Sequence, residues 1–388
     1  MTIPAVLAIF KAMTKLESQI KVAQDAYYNK TPIMSDAEFD ELWDTLMREQ
    51  PDSELLRSVG SDHTDGFTKV KHRILMGSQS KANTAEDMDA FYVRNAPFRS
   101  FIRQLKLDGC SIAMEYDDGK FYEAKTRGDG EYGDDITSNA LKMTGLIKKL
   151  TLPPVSGTDP FTGTIRGEVL LPKSVKEKHF PDMKNCRNAA SGIMKHLDGK
   201  DCDKLRIMVY DAQFTDRGKS FDTQTDIMNW LERCGFSVAP WEEVQAEETG
   251  KNAIAHIDWI FKPEERAKLD YDIDGVVYKR DRIDPEDFRT NYRPKSTIAL
   301  KPKFTTARSV LRDIDWQVKN GTVTPVAVFD PVDLEGSTVT RASMANIAMM
   351  EYLGLEIGHE ILVIKANMII PKIIKDITTG KSLGNYME

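Results

Sequence analysis

Lys106 stands in the stretch LKLDG, and its amine is the leading candidate for covalent chemistry in this chain. An amine attacks only as the neutral base, whereas lysine is an ammonium at neutral pH unless burial or cationic neighbours disfavour the charge. On a strand, side chains alternate between faces, so Lys106 and Asp108 share one. Gly109 lets a phosphate or ribose approach the backbone. The same residues also suit an ordinary exposed strand, so the segments downstream decide. TRGDGEYGDDITSNA gathers Arg127, acids and glycines in one short span, which suits tight turns whose amides face a ligand. RGEV places Glu168 two residues after Arg166, DIDGVVYK ends in Lys279, and ALKPK contains Lys301. Charges on strands flanked by Val, Ile and Leu lose water and need partners. Those partners are either internal ion pairs or a polyphosphate with a metal ion. Recurrence of such strands within one region favours the polyphosphate.

The elements that must position these groups fall into three stretches. Residues 1–70 read as a small helical domain, with SDAEFDELWDTLMREQ a clear amphipathic helix. Ser35 is its N-cap, Glu38 completes a capping box, and Pro51 closes the segment. Asp36, Asp40 and Asp44 fall four apart on one face, which also suits a solvated helix start. Residues 71–304 alternate strands, turns and helices. FIRQLKLDGCSIAMEYDDGKFYEAKTRG predicts consecutive strands with a hairpin turn at DDG, and SFDTQTDIMNWLERCG a helix ending at Gly235. Residues 305–388 carry short strands and one helix, ANIAMMEYLG, at a spacing that fits a five-stranded oligonucleotide-binding (OB) barrel. The fold class is α+β.

Bulk properties set outer bounds. A chain of 388 residues is too long for a single core, which favours two or three domains. Composition is that of a soluble globular protein, 41% apolar and 29% charged. No apolar run reaches the ~20 residues of a membrane span, and MTIPAVLAIFKAM lacks the basic leader and cleavage pattern of a signal peptide. The net charge of -7 argues against a simple basic nucleic-acid coat, although local patches matter more than the total. Cys110, Cys186, Cys202 and Cys234 form no C-x-x-C pair, so no zinc site is expected, and scattered thiols fit a reducing cytoplasm.

The ordered set LKLDG, TRGDG with GDDIT, RGEV, NCRNAASG, DIDGVVYK and ALKPK resembles the NAD-dependent DNA ligases of bacterial type over almost the whole chain. The segments WQV, GTVTPVA, RASMAN and GLEIG resemble that family's OB domain. DAYYNKTPIMSDAEFDEL is similar to its helical signature for the nicotinamide mononucleotide half of NAD. The resemblance implies a nucleotidyltransferase (adenylation) domain with antiparallel sheets over 71–304, between an N-terminal helical domain and a C-terminal OB-fold β-barrel. It implies that Lys106 attacks the α-phosphorus of NAD and carries AMP, with Asp108 orienting it, helping to deprotonate it or binding metal. It places Tyr27, Tyr28, Asp36, Phe39 and Asp40 at the leaving group. Ser78 and Gln104 would face the adenosine, Arg127 and Glu168 the ribose and phosphate, and Lys279 and Lys301 the developing phosphate charge. Arg187 and Lys195 would meet DNA. Mg2+ is the implied metal, at Asp108 and Glu168.

Several positions depart from the family pattern. Gln104 replaces glutamate, Phe39 tyrosine, Lys195 arginine and Met344 histidine. The zinc, helix-hairpin-helix and C-terminal phosphopeptide-binding-like modules of full-size relatives are not present in this sequence. The expected function is NAD-dependent sealing of nicks in duplex DNA, in a bacterial cytoplasm or, for a viral protein, that of the host. The alternative is a self-adenylating chain that needs a companion polypeptide for efficient sealing. Further readings are an inactive nucleic-acid clamp, and an ATP-dependent ligase or RNA-capping enzyme, against which the helical SDAEFD segment argues.

Overall fold

A computed structural model describes residues 66–383 except 97, 99, 155–159, 184, 245–248, 303–305, 320–321, 335–336, 345–346 and 367–369, together with 16–20, 22–23, 42, 45–46, 50 and 53. The chain divides into two compact units, residues 62–302, and residues 303–388 grouped with 1–61. Tyr27, Tyr28, Asp36, Phe39 and Asp40, like the expected cap at Ser35, lie outside the described residues. Residues 16–20, 22–23, 42 and 45–46 are helical. There Ile20 and Leu46 are fully buried, with Leu16 and Leu42 against them, as an amphipathic pattern requires.

In the 62–302 unit the elements run β1 (Lys69–Lys71), β2 (Ser80–Ala82), α1 (Ala85–Arg94), β3 (Phe101–Leu107), β4 (Cys110–Asp117), β5 (Lys120–Thr126), β6 (Tyr132–Asp134) and β7 (Gly163–Leu170). Then come α2 (Cys186–Met194), β8 (Arg206–Phe214), α3 (Gln224–Arg233), β9 (Trp241–Val244), α4 (Gly250–Ile260), β10 (Ile273–Arg280) and β11 (Thr297–Leu300). Two main sheets form, in the orders β2-β11-β10-β3-β9 and β5-β4-β7-β8, with β1 and β6 as a separate pair. Every pairing is antiparallel except β11 with β2.

The expected hairpin joins β4 to β5. Asp118 and Gly119 both take positive φ, 49° and 72°, the backbone that a two-residue turn of matching twist demands. The helix expected before Gly235 is α3. Thr223 caps it by accepting from the Asp226 amide, and Gly235 follows it at φ 91°. Its Trp230 is wholly buried, 4.9 Å from Phe161 and 5.4 Å from Phe221, and its indole N–H donates to the Leu152 carbonyl at 3.2 Å. Such aromatic packing anchors the helix on the β5-β4-β7-β8 sheet.

In the second unit, β12 (Thr306–Lys319), β13 (Thr322–Leu334), β14 (Ser337–Ser343), α5 (Ile347–Leu353), β15 (Glu360–Ala366) and β16 (Ile370–Asp376) pair in the order β14-β13-β12-β15-β16. β12 serves two neighbours. Its first residues pair with β15, and from Leu311 onward it pairs with β13 across a bulge at Leu311/Asp313. A bulge bends a strand and increases its twist, which lets one strand turn the corner over Leu311, Phe329, Ile361 and Ile373. The strand number is that expected of an OB fold. Closure is not: among the described residues no ladder joins β14 to β16, so the five strands form a curled open sheet rather than a closed barrel. Among the described residues no helix is long and apolar enough to cross a membrane.

Candidate active site

Lys106 lies near the end of β3, directly opposite Gly275 of β10. A Cβ on that glycine would sit 2.6 Å from the Leu300 carbonyl, so glycine is needed for the close approach of β11, while Lys106 Cδ at 3.6 Å is at ordinary contact distance. The β10 register slips between Ile273 and Gly275, which leaves Asp274 as the extra residue of a bulge. Bulges re-aim side chains. Here the Asp274 carboxylate receives the Lys106 amine with both oxygens, each at 2.9 Å, and Lys301 Nζ stands 3.5 Å from Oδ2. Burial opposes ionisation of Asp274, but the charges of Lys106 and Lys301 outweigh it and hold its pKa below the ordinary value.

Around this pair lie the other charges. Arg187, on the first turn of α2, donates to Asp108 Oδ1 at 2.8 Å. Glu168 of β7 stands across the ladder from Ser111 of β4 and accepts its hydroxyl at 3.1 Å. Burial pushes Glu168 up to about 7, against the pull of Arg187 and Lys106. Deeper in, the β8 register skips Tyr210 opposite Arg166/Gly167. Its carbonyl accepts from Lys279 Nζ at 2.9 Å and Gln104 Nε2 at 3.5 Å, tying β10 and β3 to β8. Burial pushes the Lys279 amine down to about 8, against the attraction of Asp211. Gln104 also donates to Met228 Sδ at 2.8 Å. Both neighbours of its amide nitrogen are acceptors only, which fixes the orientation of the group.

A third group of contacts gathers around the segment 72–78. The segment 72–78 is strapped down at four places. His72 Nε2 lies 3.1 Å from the carbonyls of both Thr126 and Arg127, so that nitrogen bears the proton. The Met76 amide donates to the Gly130 carbonyl at 2.9 Å. Arg166 gives Nη2 to the Leu75 carbonyl at 2.9 Å. The Ser78 amide donates to the Tyr292 carbonyl at 2.8 Å, while Arg127 Nη2 lies 2.7 Å from the Tyr292 hydroxyl.

The structure therefore brings together Lys106, Asp108, Glu168, Arg187 and Lys301, with Lys279 and Gln104 on the Tyr210 carbonyl, while Arg127 and Ser78 meet at Tyr292. Lys195 is not in the cluster; it caps the far end of α2 from Arg187. Gly109 has a packing role: a Cβ there would meet the Val169 carbonyl at 2.4 Å. Of the two kinds of partner weighed for the strand charges, the structure shows internal ion pairs, and Lys106 and Lys301 form theirs with Asp274. Lys125 is an internal ion pair, 1% exposed between Glu115 and Glu123, whereas Lys106 and Lys301 keep 27% and 23% exposure and can meet a ligand. Sequence reading passed over Asp274, Ser111, Tyr210 and Tyr292. Ser111 lay within the stretch quoted for the hairpin and Asp274 within DIDGVVYK, but the orientation of Asp274 depends on a bulge that alternation does not reveal.

The raised Glu168 fixes a pH response. From its ordinary value of 4.5 up to about 7, the folded chain holds a proton that the unfolded chain has released. Unfolding free energy therefore falls as pH rises through that window. Urea unfolding across it should show Glu168→Gln losing this downward slope relative to wild type. Equal slopes in the two proteins would contradict the assignment.

A family model for the NAD-dependent DNA ligase adenylation domain matches residues 64–308, and one for the NAD-dependent DNA ligase OB-fold domain matches residues 308–384. A DNA ligase of Treponema denticola is 43% identical over 371 residues, 94% of this chain and 56% of the relative. One of Treponema pallidum is 39% identical over 371 residues, 94% of this chain and 44% of the relative. One of Shouchella clausii is 33% identical over 388 residues, 93% of this chain and 56% of the relative. The chain spans about half the length of the curated relatives it matches.

Proposed function

The chain belongs to the NAD-dependent DNA ligase family, and from that premise we propose that it seals nicks in duplex DNA through AMP carried on Lys106. The observation that supports this most is the Lys106 amine held at 2.9 Å by Asp274 amid Lys301, Arg187 and Glu168. In the first step Lys106 Nζ attacks the α-phosphorus of NAD. An N–P bond forms, the P–O bond to nicotinamide mononucleotide breaks, and that nucleotide leaves with the electron pair. Attack needs the neutral amine, and Asp274 is the nearby acceptor for the proton it sheds. Lys301 faces the same carboxylate and offsets charge developing on phosphate. Arg127 and Ser78 hold the adenylate, Gln104 meets the base, and Lys279 stands behind the phosphate. AMP then passes to the 5′-phosphate of a nick, and the 3′-hydroxyl displaces it to form the phosphodiester. Arg187 and Lys195 contact the DNA. Tyr27, Tyr28, Asp36, Phe39 and Asp40 receive the nicotinamide mononucleotide half.

Mg2+ fits Glu168 and Asp108 by donor chemistry, since both offer the hard carboxylate oxygens that the ion takes alongside substrate phosphates. Among the described residues no group of three or more metal-ligating side chains converges, and Mg2+ in phosphoryl transfer needs none. When bound it would withdraw charge from the phosphate oxygens.

Incubating the chain with nicked duplex and Mg2+, with either NAD or ATP, tests the proposal. Joined DNA and released nicotinamide mononucleotide with NAD alone are expected. Adenylated protein without joined DNA would favour the partner-dependent alternative, and pyrophosphate release from ATP would overturn the choice of donor.

A further inference from the structure

Tyr292 is absent from the mechanism, yet it touches both residues assigned to hold the adenylate. It lies between β10 and β11, outside every strand of the two sheets. Its hydroxyl is 2.7 Å from Arg127 Nη2, and its carbonyl takes the Ser78 amide at 2.8 Å. Gly77 packs so closely beneath it that a Cβ would lie 2.0 Å from that same carbonyl. One residue thus pins the end of the 72–78 strap with its backbone and the Arg127 guanidinium with its side chain. A guanidinium is a rigid plane, so fixing one nitrogen fixes the direction of its other donors. A donor held in place before the ligand arrives loses less freedom on binding.

We propose that Tyr292 is a positioning residue for the nucleotide, setting Arg127 and Ser78 in the geometry in which they receive the adenylate of NAD. This rests on the reading that Arg127 holds the AMP half. Tyr292→Phe removes the hydroxyl while keeping the ring and the carbonyl latch. Self-adenylation of the full chain with NAD and Mg2+ should then show a KM for NAD raised about tenfold, the scale of one hydrogen bond to a charged group. Turnover at saturating NAD and the thermal midpoint should stay near wild type. In an Arg127→Ala background the same change should add nothing, because contacting groups do not act additively; a merely structural role would add its penalty in both backgrounds. An unchanged KM in Tyr292→Phe, or an equal penalty in both backgrounds, would overturn the proposal. If Arg127→Ala itself leaves the KM unchanged, the assignment of Arg127 to the nucleotide fails first.

Discussion

Lys106→Ala is expected to abolish the AMP-sized adduct that wild-type protein forms with NAD, a loss on the order of ten-thousandfold or more, as for other covalent nucleophiles. Intact-protein mass spectrometry reads it directly. The size follows from chemistry rather than folding. Lys106 is 27% exposed near the end of β3, so truncation leaves no core cavity, and Asp274 keeps Lys301 at 3.5 Å as counter-charge. Lys106→Arg sharpens the test. A guanidinium can hold the Asp274 pair but does not deprotonate in proteins, so this variant should fold normally and also carry no adduct. An adduct on either variant would place the nucleophile elsewhere.

Asp274→Asn should slow single-turnover adenylation by about a hundred- to a thousandfold, the range for removing a positioned proton acceptor. The volume is unchanged, but two amines lose the carboxylate they share. Breaking a fully buried pair costs about 3–5 kcal/mol, and the residual exposure of these groups reduces that cost. A lower urea midpoint should therefore accompany the loss of rate. The remaining rate should climb with pH, since solvent must now take the proton. Adenylation at the wild-type rate in this variant would remove Asp274 from the chemistry.

How much of this was legible in the sequence depends on whether local rules decide the outcome. The turn at Asp118–Gly119 was readable because only a few residues adopt positive φ at both turn positions. The capped helix ending before Gly235, the strands carrying Lys106 and Glu168, and the strand ending just before Lys301 were readable from periodicity and turn chemistry. The five OB-type strands also followed from their spacing, whereas their order and open edge depend on long-range pairing that no local spacing encodes. Bulges were the main blind spot. They swing Asp274 onto the lysine and turn the Tyr210 carbonyl toward Lys279 and Gln104, and an inserted residue in a ladder leaves no mark in composition. Gly109 looked like an opening for a phosphate, yet in the fold it is the space into which the Val169 carbonyl packs. Tyr292 gave no signal at all, because the Ser78 amide and the Arg127 guanidinium reach it only once the chain has folded.

Peptide-level mass mapping of the chain after incubation with Mg2+ and either NAD or ATP tests the proposal most directly. AMP on the Lys106 peptide with NAD, absent with ATP, and lost from the protein as nicked DNA is joined is the expected result. AMP on another residue, or its appearance only with ATP, would contradict it.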